Sequence, residues 1–174
     1  MKKILALLIL GFTIYGVSAQ TGPKTLSLFD DKFIMSIPTD VDTMSAAKVQ
    51  SHYPKVPDRY AYYYSNTDGD FLIVVGMVTI GVTEEDMVKH KDDLLVALKE
   101  EGYKLEENTI KKGDNHNLIV VSFYSDELVG KVFNRHFFAV VRGRLILVKF
   151  TFYGNKQEKR IPQIEQSINS VIIK

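Results

Sequence analysis

Four of the nine tyrosines fall in one short stretch, Tyr60-Ala61-Tyr62-Tyr63-Tyr64, which runs straight into Ser65-Asn66-Thr67-Asp68-Gly69-Asp70. Two kinds of chemistry are conceivable there: cation binding by the Asn and Asp oxygens, and partner contact by the phenols. A calcium loop of the EF type needs oxygen ligands at positions 1, 3, 5 and 12, with glycine at 6. With Gly69 at position 6, Asp68 and Asn66 fill positions 5 and 3, but Tyr64 and Val75 stand at 1 and 12. Asp-Gly between two apolar runs is a turn signature in its own right, so a turn without a metal is expected. In a strand, Tyr60, Tyr62 and Tyr64 share one face while Ala61 and Tyr63 share the other. Tyrosine fills half-buried sheet surfaces well, and it is also favoured at interfaces because an apolar ring carries a polar tip. Arg59, Tyr60, Tyr62 and Tyr64 are therefore the candidate partner-contact residues, and partial exposure is expected because three hydroxyls on one face are most easily satisfied by water.

The other reactive residue types do not assemble into a pattern. His52, His90, His116 and His136 have no metal-binding spacing among them, and no HExxH or paired-cysteine motif occurs. His90 is expected to border the core of a helix, and His136 to face Lys149, whose charge would disfavour the imidazolium. There is no GxSxG elbow and no glycine-rich phosphate loop. Ser122 or Asp126 could approach His136, but nothing in the sequence brings them together. The expectation is no catalytic residue, no cofactor, no metal and no enzymatic activity.

What must position the tyrosines is one domain. The chain opens MKKILALLILGFTIYGVSAQ: two lysines, an apolar run from Ile4 to Tyr15, and small residues at Val17-Ser18-Ala19. This is the form of a secretory signal peptide over residues 1–19, its apolar run shorter than the ~20 residues of a membrane span. Cleavage after Ala19 would give an exported protein, periplasmic or secreted, soluble and without a transmembrane anchor. The absence of cysteine excludes disulfides and a lipid-modified N-terminal cysteine. The 174-residue chain has 22 basic and 21 acidic residues; the leader removes two lysines and leaves a charge of −1. Such a balance argues against nucleic acid, which demands a basic surface. Residues 20–24 read as a short linker and 25–174 as one domain with a sizeable core.

Within it, Thr25 to Phe29 and Lys32 to Ile37 read as a hairpin around Asp30-Asp31. Asp42 is expected to cap a small helix from Thr43 to about His52; Asp42-Thr43-Met44 also matches a short pattern resembling O-glycosylation sites of Bacteroidota envelope proteins. Strands are expected at Tyr60 to Tyr64 and Phe71 to Val78. Thr83 followed by acids predicts a helix start, with Met87, Leu94, Leu95 and Leu98 on its apolar stripe and Gly102 as its stop. Two hairpins follow: Lys104 to Lys112 with Leu118 to Tyr124, and Val132 to Val141 with Arg144 to Phe152. If Arg142-Gly143 is a two-residue loop, Phe133, Arg135, Phe137 and Ala139 face Phe152, Phe150, Val148 and Ile146. Asn134, His136, Phe138 and Val140 then face Thr151, Lys149, Leu147 and Leu145. Asn155 and Glu158 have capping-box spacing, but Pro162 predicts that the last helix begins near that proline. A largely antiparallel sheet with helices on both faces results.

That order of elements resembles the family that groups the nuclear-transport factor Mog, the photosystem II protein PsbP and the bacterial envelope protein DcrB. The resemblance is carried by Phe33-Ile34-Met35-Ser36-Ile37-Pro38, Tyr53-Pro54, Thr83-Glu84-Glu85, Gly143-Arg144-Leu145 and Ser167-Ile168-Asn169-Ser170, over residues 25–174. It implies a three-layer α/β/α sandwich and an accessory protein that docks on a protein or complex, here one of the envelope. The alternative is a carrier holding a small apolar or lipid ligand in a cleft between sheet and helix.

Overall fold

The computed structural model describes residues 22–54, 61–113, 116–127, 130–154 and 156–174. The expected leader, Arg59 and Tyr60 lie outside these residues. Among the described residues, no helix is long and apolar enough to cross a membrane.

A seven-stranded sheet forms the middle layer. Its strands are β3 (Val41–Thr43), β4 (Ala61–Asn66), β5 (Phe71–Ile80), β6 (Lys104–Lys112), β7 (Asn117–Glu127), β8 (Gly130–Val141) and β9 (Arg144–Tyr153). They lie side by side in the order β3-β4-β5-β9-β8-β7-β6, and every pair is antiparallel. A smaller antiparallel sheet is built from β1 (Lys24–Leu28), β2 (Phe33–Ile37) and the terminal β10 (Ile172–Ile173), with β2 central. The helices are α1 (Ala46–His52), α2 (Met87–Glu100) and α3 (Gln157–Asn169).

The large sheet buries both faces. On one, Ile164 and Ile168 of α3 pack with Phe33, Met35 and Ile37 of β2 over Phe71, Ile73, Phe137, Val148 and Phe150. On the other, Met87 and Leu98 of α2 cover Ile119, Val121, Phe123, Phe138 and Leu145. Strands covered on both sides read as near-continuous apolar runs, which is how β7 to β9 are written. The expected three layers are present: α2, the sheet, and α3 with the small sheet.

The β8–β9 hairpin has the expected register, from Phe133 opposite Phe152 to Val140 opposite Leu145. Its loop places Arg142 at φ 51° and Gly143 at φ 70°, the two positive values a type I′ turn requires. Three expected helix starts are corrected. Asp42 caps no helix: it sits in β3, which pairs with β4, and its carboxylate holds Lys24; Ser45 caps α1 instead, accepting from the Lys48 N–H. Thr83 is not the cap of α2; its N–H and hydroxyl both donate to the carboxylate of Asp86, which occupies the N-cap position, each at 2.8 Å. Finally, α3 begins at Gln157 and carries Pro162 inside it. The turn before the proline is secured by Arg160, whose buried guanidinium ties it to the sheet. Asn155 lies outside the described residues.

Candidate functional site

Tyr62 and Tyr64 share a strand face but differ in cover. Tyr64 lies opposite Thr43 of β3 and Ile73 of β5, is 6% exposed and belongs to the core. Burial first, and then the neighbouring Tyr62 phenol, raise its pKa above the ordinary tyrosine value. It is therefore withdrawn from the expected contact face. The short β3 ends opposite it, so Tyr62 has no β3 neighbour and is 39% exposed. Tyr63, on the opposite face, packs on Tyr53 with ring centroids 5.0 Å apart.

Tyr62 is held from one side by Phe29, whose ring stands edge-on at 5.7 Å and 85°. Phe29 comes from the β1–β2 turn, where Phe29, Asp30 and Asp31 all take positive φ, 54°, 56° and 58°. Three consecutive L residues in the left-handed region are costly, least so for the two aspartates and most for the bulky phenylalanine. Sparsely populated backbone of this kind concentrates at functional sites. The turn is closed by the Lys32 N–H donating to the Phe29 carbonyl at 3.2 Å and by the Ser27 hydroxyl donating to the Asp31 carboxylate.

The same turn meets the β8–β9 hairpin. Phe29, Asp30 and Lys32 enclose, with Val141, Arg142, Arg144 and Ile146, a pocket of about 130 Å³. The hairpin loop is fixed from behind: the Gly143 carbonyl accepts from the N–H groups of Gly81 and Val82 at 2.7 and 3.1 Å. Apolar Val141 and Ile146 form the buried floor, and three cations with Asp30 form the rim.

The Asp68-Gly69-Asp70 turn has a structural use. Gly69 takes φ 74°, Asn66 accepts from the Phe71 N–H at 3.0 Å and donates to Asp70 at 2.7 Å, and Lys156 pairs with both Asp68 and Asp70. Burial pushes the Asp70 carboxyl up, but hydrogen bonds from Lys156 and Asn66 and the charges of Lys156 and Arg160 outweigh it and hold its pKa below the usual value. Lysine and arginine thus occupy the carboxylate that a calcium ion would need. Among the described residues, no three His, Asp or Glu side chains are grouped to hold a metal.

Two buried arginines, for which no ion pair was expected, tie α3 to the sheet. Arg160 is 1% exposed, lies over the Phe71 ring at 4.5 Å, and meets Asp40 at 3.0 Å and Asp70 at 3.9 Å. Arg135 of β8 pairs with Glu107 of β6 and Glu165 of α3; Glu165 also takes Lys111 at 2.6 Å. The spacing of arginines in a strand or helix gives no sign of such pairing, since the acids come from distant elements. His136 does lie opposite Lys149, and burial followed by that charge lowers its pKa to about 3. It packs edge-on against Phe123 on the α2 side of the sheet, a structural place. A groove of about 580 Å³ opens between the β6–β7 hairpin and the end of α3, lined by Lys111, Lys112, His116 and Leu118 on one side and by Ile168, Val171 and Ile172 on the other.

The fold is an α+β one resembling PsbP, and one end of it is aromatic and cationic. No family model matches the sequence, and neither does any curated protein. Among solved structures, the chain is similar to the cyanobacterial PsbP protein CyanoP of Synechocystis, with TM-score 0.63 at 10% identity over 91% of this chain and 96% of that one. A crystal structure from Bacteroides thetaiotaomicron matches with TM-score 0.57 at 12% identity over 87% of this chain. The chain spans about half of that protein's length, 48%. A Pseudomonas aeruginosa protein of unknown function, described as a putative regulator, matches with TM-score 0.56 at 11% identity over 87% of this chain and 97% of that one. At such identities the likeness is one of fold.

Proposed function

We propose that this is an exported, non-enzymatic accessory protein that docks on an envelope protein or complex through the end of the sandwich bearing Phe29 and Tyr62. The observation that carries this reading is the exposed Tyr62 ring held edge-on by a residue of a strained turn. Holding an exposed aromatic in place reduces the entropy lost on binding, and tyrosine is enriched among residues that dominate interface energy. The likeness to CyanoP supports an accessory role through the fold alone, and export rests on the leader at residues 1–19. The test is affinity purification from the native envelope with the wild type and Tyr62→Ala, compared by quantitative mass spectrometry. One envelope protein should be enriched by the wild type and reduced about tenfold or more by the variant. Equal enrichment by both would refute docking at this face.

The carrier reading is favoured by a separate observation, the groove of about 580 Å³ between sheet and α3. Its size falls within the range of ligand pockets, about 300–1,000 Å³. Native mass spectrometry of protein isolated from its own envelope tests it: a bound lipid lost in Ile172→Asp supports the carrier, and a ligand-free wild type counts against it.

A further inference from the structure

Lys32, Arg142 and Arg144 are the feature of this end that the docking reading does not use. All three line the same pocket of about 130 Å³, and none has an ion pair or a side-chain hydrogen bond with the described residues. Many cations elsewhere are paired with carboxylates, among them Lys24, Lys89, Lys111, Arg135, Lys156 and Arg160; what sets these three apart is that they line one pocket together. The three cations outnumber Asp30, the acid that shares the rim, and repel one another; a ligand anion relieves this. The backbone that carries them is held: at Arg142 by the type I′ turn that Gly81 and Val82 brace from behind, at Lys32 by the closed left-handed turn. The floor of Val141 and Ile146 lowers the local dielectric, which strengthens a charge pair formed above it.

We propose that this pocket receives a carboxylate from an acidic segment of the polypeptide partner, whose adjoining apolar side chain rests on Phe29 and Tyr62. The inference rests on the docking reading and names the chemistry of its partner. Guanidinium groups match a carboxylate with two parallel hydrogen bonds, and Phe29 lines the pocket while touching Tyr62, so charge and aromatic contact are continuous. A free phosphate fits less well, because it brings no apolar group to the Phe29 and Tyr62 rings that adjoin the pocket. An anionic membrane surface fits less well again, since lipid-binding patches gather about four to eight basic residues and this end has three cations beside two acids.

The experiment uses the mature chain and fluorescence anisotropy. The probe is a short dye-labelled peptide of glutamates interleaved with leucine and tyrosine; its control has every glutamate replaced by glutamine. The glutamate peptide should bind at least about tenfold more tightly than the control, with an affinity that falls as salt rises. It should lose about tenfold with the double substitution Arg142→Gln and Arg144→Gln, or with Lys32→Gln; the arginines are exposed, and an unchanged melting temperature confirms the fold. Equal binding of the two peptides, or an affinity unmoved by these variants, overturns the proposal. So does preferential binding of inorganic phosphate or of phosphatidylglycerol vesicles through the same three residues. The envelope purification separates the two levels. Capture that survives the double arginine variant but not Tyr62→Ala leaves docking standing and removes the carboxylate pocket. Peptide binding that needs the arginines, with no envelope protein captured by the wild type, removes docking and leaves the pocket.

Discussion

Tyr62 and Tyr64 are two positions apart on one strand face, and they separate because β3 stops opposite Tyr64. Truncating Tyr64 removes a ring from the core, so Tyr64→Ala should cost about 3–5 kcal/mol in urea unfolding. Tyr62→Ala removes a half-exposed ring and one edge-on contact, and should cost about 1 kcal/mol or less. Comparable losses for the two would mean that Tyr62 is a core residue. His136 offers a second residue-level test. With a native pKa of about 3 against an ordinary value of about 6.5, the unfolded chain binds a proton in that window that the native protein refuses. Stability is therefore fully present above about pH 6.5 and declines as pH falls toward 3, by at most about 1.4 kcal/mol per pH unit from this group. His136→Leu should flatten that part of the stability profile, and an unchanged slope would show that the imidazole titrates normally.

At the scale of elements, α3 and the β1–β2 turn both hold conformations that their own residues disfavour. Pro162 lies six residues into α3, is exposed, and denies the Glu158 carbonyl its hydrogen bond. Because the helix persists through it, Pro162→Ala should restore that bond and raise stability by about 1–3 kcal/mol. A fall in melting temperature would mean that the bend at the proline is needed for packing. In the β1–β2 turn the residues at positive φ are Phe29, Asp30 and Asp31. Asp30→Gly should relieve backbone strain and stabilise by up to about 1 kcal/mol, which denaturant unfolding would read; destabilisation would show that the aspartate side chain holds the turn.

For the molecule as a whole, the outer layer carrying α3 is held to the sheet by apolar burial of Ile164 and Ile168 and by two arginine clamps. Removing one partner of a buried ion pair leaves the other charge uncompensated, at about 3–5 kcal/mol when both are buried. Asp40 and Asp70 are partly exposed, so solvent softens the loss, and Arg160→Met should cost about 2–4 kcal/mol. Adding Asp40→Asn should recover part of it. A cost below about 0.5 kcal/mol for Arg160→Met would assign the attachment of α3 to apolar contacts alone.

Where structure depends on neighbours in the chain, the sequence by itself determined it. The β8–β9 register follows from a two-residue loop and strict alternation, so the face of every residue from Phe133 to Phe152 was legible from Arg142-Gly143 alone. The α2 stripe and the Asp68-Gly69 turn were legible for the same reason. The helix starts were not: whether Asp42 extends β3 or caps α1 depends on β4 lying alongside, and whether α3 persists before Pro162 depends on a guanidinium anchored by Asp40 and Asp70. The candidate site divides in the same way. Strand alternation put Tyr62 and Tyr64 on one face, but only the length of β3 decided which of them meets solvent. Lys32, Arg142 and Arg144 stand more than a hundred residues apart at the extremes, in two turns whose meeting is set by the packing of the small sheet across the large one. Local alternation and turn chemistry act over a few residues, whereas that meeting is a product of burial, which the order of residues does not display.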